Sequence, residues 1–181
     1  MSAYSLAVPT STDVDDVHGI FSDPATWRHL PSGRFSSVAE TAAMIADLER
    51  EWHQEGLGQW VVRAAERWDH VAVGDVVGVG GVSPRDDGWW NLGYRLAPRA
   101  WGRGLAVQIS LEAIELATLS RPHWPVVARL LSSNPGSERV SRRAGLHEVW
   151  RGASAHGGIS RLVLADRDLD PALLRSIVAL G

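Results

Sequence analysis

The segment best suited to chemistry is a glycine-rich turn at residues 99–104, Arg-Ala-Trp-Gly-Arg-Gly. It lies between a run typical of a β-strand and one typical of an α-helix. Glycines in such a turn let the backbone bend sharply and leave several amide N–H groups pointing outward. The following helix adds the positive end of its dipole, so the turn is suited to a phosphate group. Arg99 and Arg103 can add charge-assisted contacts at its rim. An ordinary strand-to-helix turn has the same glycine spacing, and that alternative stays open.

Other phosphate-binding loops and reactive side chains do not match. A P-loop needs a lysine, and all eighteen basic residues are arginine. A dinucleotide fingerprint needs GxGxxG before a helix, whereas Gly78, Gly80 and Gly81 lie within a strand pattern and indicate a bulge. The absence of lysine and cysteine excludes Schiff-base and thiol chemistry. The seven histidines form no ligand motif, so no metal site is predicted.

Charge and hydropathy narrow the class of partner. The net charge of -3 at pH 7 gives no basic surface for nucleic acid. No apolar run approaches the roughly 20 residues that span a bilayer, and the N-terminus lacks the pattern of a secretion signal. We therefore expect a cytoplasmic protein with neither a nucleic-acid nor a membrane partner. The sequence does not indicate its oligomeric state.

The periodicity of apolar residues predicts one α+β domain over residues 1–181, with its core at about 3–166. Strands are predicted at 3–8, 60–65, 76–82, 90–96, 126–131, 147–151 and 159–165, with a loop at 152–158. Helices are predicted after a weak capping box at Thr12 and Asp15, from Ser37 to Gly56, and from Gly104 to about residue 119. A short helix begins at Asn134 and ends near Gly145. A C-terminal helix over about 170–180 has one apolar stripe: Leu173, Leu174, Ile177 and Val178.

Two motifs make a resemblance specific. Residues 92–106, LGYRLAPRAWGRGLA, look like the coenzyme A motif of the GNAT N-acetyltransferases, [QR]xxGx[GA]. The WGRGLA form after GYxLxP is similar to the branch that acetylates ribosomal-protein N-termini. Residues 134–146, NPGSERVSRRAGL, resemble a second family motif, NxxSxxVxxKxGF. The element order, β-α-α-β-β-β-α-β-α-β-β and then a helix, is also similar to that fold, a three-layer α/β arrangement with a mixed sheet splayed in a V.

The resemblance implies acetyl-CoA as co-substrate, with its pyrophosphate on the amides of the turn. The implied cofactor residues are Leu96, Arg99, Trp101, Gly102, Arg103, Gly104, Leu105, Ala106, Asn134 and Ser137. The pantetheine arm would lie beside the strand that ends at Leu96, because its amides can pair with a free strand edge. A backbone N–H near residues 92–94 would stabilise a developing oxyanion.

Both acid–base positions of the family are altered. Many relatives have Glu two residues before the Gly-Tyr pair, where this chain has Asn91. An amide cannot accept a proton at neutral pH, although it can hold a water. Many relatives have a Tyr acid seven residues after the motif Asn, where this chain has Ser141. We expect Asn91, Tyr94 and Ser141 to lie at the reacting atoms and the mechanism to rely on water rather than on a strong base.

Several side chains could replace the missing acid and base, and each also has a simpler structural role. Asp86 and Asp87 could act as bases, but Asp-Asp-Gly is typical of a solvated turn. His29 could border the acceptor pocket, and Tyr94 could be a packing residue. Most tryptophans are expected in the core, with Trp27, Trp89 and Trp90 as candidate walls of the acceptor pocket.

The sequence thus favours transfer of acetyl from acetyl-CoA to a primary amine by direct attack in a ternary complex, because no Cys or Lys can carry the acyl group. The acceptor is a small-molecule amine or a protein N-terminus. Two alternatives remain: a transferase for another acyl-CoA, and a non-catalytic acyl-CoA-binding regulatory module.

Overall fold

The regular elements follow the predicted order in the computed structural model, which describes residues 3–153 and 160–180. Within these residues each predicted strand and helix is present, so the fold class is confirmed. The predicted loop at 152–158 falls mostly outside the described residues. The elements are β1 (Tyr4–Ala7), α1 (Val14–Phe21), α2 (Val38–Glu55), β2 (Gln59–Ala64), β3 (Val76–Arg85), β4 (Trp89–Leu96), α3 (Leu105–Ser120), β5 (Val126–Leu131), α4 (Pro135–Arg143), β6 (His147–Ala153), β7 (Ser160–Ala165) and α5 (Pro171–Ala179).

The strands form one mixed sheet in the order β1-β2-β3-β4-β5-β7-β6. The β4–β5 pair is parallel, whereas the other strand pairs that the structure describes are antiparallel. This parallel pair joins Trp90 to Val126 and Asn91 to Val127, and the two strands then part. The sheet therefore consists of two halves joined at a short seam, which is the predicted V.

Helices cover both faces of the sheet. On one face, α3 packs its small residues Ala113 and Ala117 against Trp90 and Leu92 of β4. On the other face, α1 and α2 cover β2 and β3, and α5 covers the seam with Ile177. The apolar stripe of the C-terminal helix is thus an intrachain packing face. None of the helices in the described part of the chain is long and apolar enough to cross a membrane.

Side-chain caps set the ends of the helices. The Ser37 hydroxyl accepts from the Glu40 N–H at 3.3 Å, and Gly56 ends α2 in the left-handed conformation, at φ +67°. Asn134 and Asp170 cap α4 and α5 through their side-chain oxygens, at the predicted positions.

The predicted cap of α1 is wrong by two residues. The Asp13 carboxylate accepts from the N–H of Thr10 at 2.8 Å, so the capping box lies there and not at Thr12 and Asp15. The reason is local, because a single 3-10 turn at Ser11–Asp13 precedes α1.

β3 has the predicted bulge at the first of its glycines, because its register with β2 shifts between Val76 and Gly78. The glycines also allow close approach of neighbouring side chains. A Cβ on Gly80 would lie 2.9 Å from the Tyr94 Cβ and 3.2 Å from the Ile109 Cγ2. A side chain at Gly80 would thus displace Tyr94, which lines the cleft described below.

Candidate active site

A cleft of about 990 Å³ lies where β4 and β5 separate. The start of α3, the helix α4 and the loop between α1 and α2 complete its walls. One hydrogen bond, from the Ser133 hydroxyl to the His29 carbonyl at 3.2 Å, joins its two lips. The cleft brings together most of the predicted site residues, namely Asn91, Tyr94, Leu96, Trp101, Gly102, Gly104, Leu105, Ala106, Asn134, Ser137 and Ser141.

The edge of β4 that faces the cleft has unpaired backbone groups. The Trp90 N–H donates to Pro125 on the β5 side, whereas the Ala97 N–H donates to Val77 of β3. The backbone N–H groups of successive residues in a strand point to opposite edges, so those of Tyr94 and Leu96 point to the same edge as that of Trp90. At their level no strand pairs with this edge of β4 in the described structure. The Leu96 carbonyl accepts from the Trp101 indole at 2.9 Å. An extended ligand with amide groups can pair with this edge.

The glycine-rich turn delivers its amides to the same cleft. Gly102 and Gly104 both have φ +77°, a conformation that other residues rarely adopt. Gly104 caps α3 without a side chain, so the N–H groups of Leu105 and Ala106 in its first turn have no capping partner. A Cβ at Gly104 would meet no protein atom within 4 Å, so the space in front of these amides is open. This arrangement can bind an anion.

The two predicted rim arginines point elsewhere. Arg99 donates to the Val76 carbonyl at 2.8 Å and lines a separate depression beside His70. Arg103 pairs with Asp69 at 2.9 Å, with its guanidinium carbon 4.8 Å from the centre of the Trp68 ring. Both side chains find partners in the segment before and at the start of β3, which local sequence does not reveal.

Two arginines of α4 line the cleft instead. Arg139 and Arg143 are exposed there, in the second motif. Arg143 occupies the position of the lysine in NxxSxxVxxKxGF, so the motif could have predicted a cation at the cleft. In the same motif, the Asn134 side-chain oxygen accepts from the Ser137 N–H at 3.1 Å, which leaves its amide nitrogen available as a donor to a ligand.

Two buried hydroxyls in the cleft have no hydrogen-bond partner in the described part of the chain, those of Tyr94 and Ser141. Burial raises the pKa of Tyr94 to about 12, and the nearby Ser137 hydroxyl opposes this rise. The phenol therefore stays protonated and remains an O–H donor. Because an unpaired buried hydroxyl is costly, these orphaned groups, like the open amides, fit a bound molecule with polar atoms.

Comparison with protein families identifies the family to which this cleft belongs. The sequence profile of the acetyltransferase (GNAT) domain matches residues 5–147. The chain belongs to the GNAT acetyltransferase family. It is an acyltransferase with acetyl-CoA as co-substrate, and the open amides and orphaned hydroxyls of the cleft fit that molecule. A search of curated proteins finds no significant match.

Solved structures share the fold of this acetyltransferase. A GNAT-family acetyltransferase from Bacillus anthracis superposes with a TM-score of 0.71 at 16% identity, over 91% of this chain and 94% of that one. The RimL ribosomal-protein acetyltransferase, solved with coenzyme A, gives 0.69 at 17% identity, over 93% and 97%. The microcin self-immunity acetyltransferase MccE, solved with acetyl-CoA and AMP, gives 0.71 at 13% identity, over 93% and 94%.

Among the candidate replacement bases Asp86, Asp87 and His29, the one that lies at the cleft is His29. It lines the cleft from the α1–α2 loop and stacks beside Trp27, with ring centres 6.3 Å apart. Burial, followed by the charge of Arg95, lowers the pKa of its imidazole. The ring is therefore neutral at pH 7.

Asp86 and Asp87 do not line the cleft. The strands β3 and β4 continue to Arg85 and Trp89, so only residues 86–88 form their turn. This extension places the two carboxylates at the far end of the hairpin, where Asp87 accepts from the Ser176 hydroxyl of α5. Among the described residues, no three acidic, His or Cys side chains group to hold a metal.

None of the three predicted tryptophan walls, Trp27, Trp89 and Trp90, lines the cleft. Trp89 and Trp90 are fully buried in the core, one under α5 and the other under α3. Trp27 lies beneath the cleft rather than in its lining. Its ring supports Arg95, whose guanidinium carbon lies 3.3 Å from the ring centre and whose N–H donates to the Thr26 carbonyl.

Glu51 of α2 is a carboxyl group that sequence reasoning missed. One of its oxygens is buried with no hydrogen-bond partner among the described residues. Burial raises the pKa of this carboxyl group, and the Ser83 hydroxyl opposes the rise. Ser83 is paired with Asn91 across β3 and β4. The sequence could have indicated the burial of Glu51, because it lies three residues after the apolar Leu48 and residues three apart share a helix face.

Proposed function

We propose that this acetyltransferase moves the acetyl group of acetyl-CoA directly to a primary amine, either a small molecule or a protein N-terminus, in a ternary complex. The observation that carries the proposal is the convergence of three kinds of unused hydrogen-bond donor on one cleft. These are the open edge of β4, the first-turn amides of α3, and the hydroxyls of Tyr94 and Ser141.

Backbone groups would hold the co-substrate. The N–H groups of Leu105 and Ala106, with the turn at Gly102 and Gly104, suit its pyrophosphate, and Arg139 and Arg143 add charge nearby. The Leu96 N–H suits a pantetheine amide, in the manner of an added strand. The free amide nitrogen of Asn134 is a further donor at the far lip.

Bound acetyl-CoA supplies a thioester, whose carbonyl carbon takes the amine and whose sulfur leaves. The Tyr94 N–H would donate to the carbonyl oxygen, where negative charge develops. The Tyr94 and Ser141 hydroxyls would donate to the sulfur. With a pKa of about 12, Tyr94 is a weaker acid than an ordinary thiol, so its hydroxyl stabilises the thiolate without giving up its proton.

The proton of the amine would leave through water. The amine nitrogen forms the C–N bond with its lone pair, the C–S bond breaks with its electrons on sulfur, and one amine proton passes to water. The described residues that line the cleft include no carboxylate to take this proton. Asn91 can orient the water, and proximity supplies most of the acceleration for amine molecules that are already neutral.

Steady-state and rapid-quench kinetics of the full chain with acetyl-CoA and an amine panel test the proposal. We expect thiol release matched by acetylated amine, intersecting kinetics and no acetyl-enzyme. Double-displacement kinetics with trapped acetyl-enzyme would contradict direct attack. Binding of coenzyme A without turnover on any amine would favour a binding module, and faster transfer from a longer acyl-CoA would assign that acyl group instead.

The pH profile tests the water route separately. We expect kcat/KM to rise only with the titration of the amine substrate. A separate limb at pH 4–6 that disappears in His29→Gln would assign the proton to His29.

A further inference from the structure

The charge of the cleft is opposite to that of the chain. The protein as a whole carries a net charge of -3. The described residues that line the cleft nevertheless include no carboxylate. The cationic side chains of this lining are Arg28, Arg95, Arg129, Arg139 and Arg143, whereas the His29 ring in the same lining is neutral at pH 7.

These cations divide between the two faces of the sheet. On β5, Val127 packs with α5 and Ala128 packs with α3, so Arg129 projects to the face opposite α3. On β4, Trp89 packs with α5, and Arg95 shares its face. Arg95 and Arg129 therefore lie on the face away from α3, whose first turn faces the phosphate position. Arg139 and Arg143 belong to α4, which contacts α3.

Arg129 is a half-buried cation that forms no ion pair with a carboxylate among the described residues. Its Nε is buried with no hydrogen-bond partner in the described part of the chain. Burial lowers its pKa, and the neighbouring charges of Arg161 and Arg85 lower it further. Arg161 lies on the adjacent strand β7 and is itself buried. A group of like charges in a low-dielectric site is unfavourable unless an anion binds beside it.

Arg95 presents a second cation from the opposite strand. It is fixed by its stack on Trp27 and by the Thr26 carbonyl. Burial lowers its pKa to about 10, so it stays charged at pH 7. It forms no ion pair with any described carboxylate, and His29 lies beside it.

We propose that the acceptor is an amine that also carries a carboxylate or phosphate group, and that Arg129, with Arg95 across the gap, binds this anion. The inference rests on the proposed acetyl transfer and specifies its substrate class. Arginine suits both anions because its planar fork can donate two parallel hydrogen bonds. A polyamine would be repelled by the same wall.

Matched amine pairs that differ by one charge test the substrate class. The pairs are 4-aminobutanoate with 4-aminobutanamide, phosphoethanolamine with ethanolamine, and an acidic tetrapeptide with its amide counterpart. Spermidine is the cationic arm. We expect the anionic member of at least one pair to have a kcat/KM higher by ~10-fold or more, the gain typical of a hydrogen bond to a charged group. The preferred pair distinguishes carboxylate from phosphate.

Variants separate acceptor binding from co-substrate binding. In Arg129→Gln we expect kcat/KM for the anionic amine to fall by roughly 10- to 100-fold, with the neutral partner almost unaffected. The Kd of coenzyme A should stay unchanged. Arg129→Lys should recover part of the loss. The exposed Arg175→Gln of α5 is the surface control, and Arg139→Gln should show the reverse pattern, with weaker coenzyme A binding.

Equal or faster acetylation of the neutral or cationic amines would overturn the inference and leave the acetyl transfer intact. A weaker coenzyme A complex in Arg129→Gln, with the discrimination between amines unchanged, would assign Arg129 to the co-substrate and also overturn it. Failure of the unmodified chain to bind coenzyme A or to acetylate any amine would instead refute the proposed function.

Discussion

The two sides of the cleft present different chemical groups. On the α3 side, the groups that face the gap are mainly backbone amides, set free by two glycines and an open strand edge. On the side of the α1–α2 loop, they are mainly arginine side chains on two separate strands, which form no ion pair with any described carboxylate. Backbone amides serve any member of a family that binds one co-substrate. Side-chain charges can change from protein to protein, so this comparison locates specificity on the second side.

The largest expected effect comes from closing the α3 side. Gly104→Val puts a branched side chain at φ +77° into the open space before the first-turn amides. We expect coenzyme A affinity measured by calorimetry to fall by ~100-fold or more, since the phosphate contacts are charge-assisted.

Gly56→Val is the matched control for Gly104→Val. Gly56 has φ +67°, also with no protein atom within 4 Å of a Cβ, but it lies at the end of α2. It should cost stability and leave coenzyme A affinity unchanged. Equal affinity in Gly104→Val and the unmodified chain would reject the turn as the phosphate site.

Removing the unpaired hydroxyl of Tyr94 tests whether the α3 side of the cleft takes part in the catalytic step. We expect Tyr94→Phe to reduce kcat by roughly 10-fold and to leave the melting temperature unchanged or higher, because the lost hydroxyl has no hydrogen-bond partner among the described residues. Tyr4→Phe is the control, since the Tyr4 hydroxyl bonds Glu112 outside the cleft. An unchanged kcat in Tyr94→Phe would remove this residue from the mechanism.

The arginine side should behave differently in stability measurements. Replacing a half-buried, unpaired cation relieves a desolvation cost, so Arg129→Gln should raise the free energy of unfolding by up to about 1 kcal/mol. Arg142 is exposed and paired with Glu138 and Glu148, so Arg142→Gln should change it only slightly. Chemical denaturation of the free protein checks both, and a loss of stability in Arg129→Gln would show that this arginine has a structural partner.

The smallest effect concerns pH. The pKa of His29 in the folded protein lies below its ordinary value of 6.5, mainly through burial. As the pH falls below 6.5, the unfolded chain takes up this proton before the folded one, so stability should decrease until the folded pKa is passed. His29→Gln should flatten that decrease in pH-dependent denaturation, whereas His123→Gln, an exposed control, should not. Parallel curves for His29→Gln and the unmodified chain would contradict the assignment.

The same contrast explains how far the sequence could be interpreted. The turn at Gly102 and Gly104 and the cap at Asn134 are local, because neighbouring residues determine the conformation. Their positions, and the order of the helices and strands, therefore followed from spacing, whereas the cap of α1 and the end of β3 did not. The directions of Arg99 and Arg103 are not local, since their partners Val76 and Asp69 lie 23 and 34 positions away in the chain.

The charged side of the cleft required the tertiary structure. Arg129 lies in a predicted buried strand, and nothing in that run of residues shows that β4 parts from β5 beside it. The sequence offered Trp89 and Trp90 as candidate walls of the acceptor pocket. They are in the core because the seam of the sheet lies at their level, where α3 and α5 cover both faces.

The short seam between β4 and β5 has a consequence for association. A sheet that parts in its middle has two extra edges, and a free edge is a template for a strand from another molecule. Arg95 on β4 and Arg129 on β5 place a charge on each strand that borders this gap. Charged residues at a free strand edge hinder edge-to-edge pairing. The same two arginines that we assign to the acceptor would thus protect the open gap from aggregation, and acceptor variants should be checked for self-association as well as for turnover.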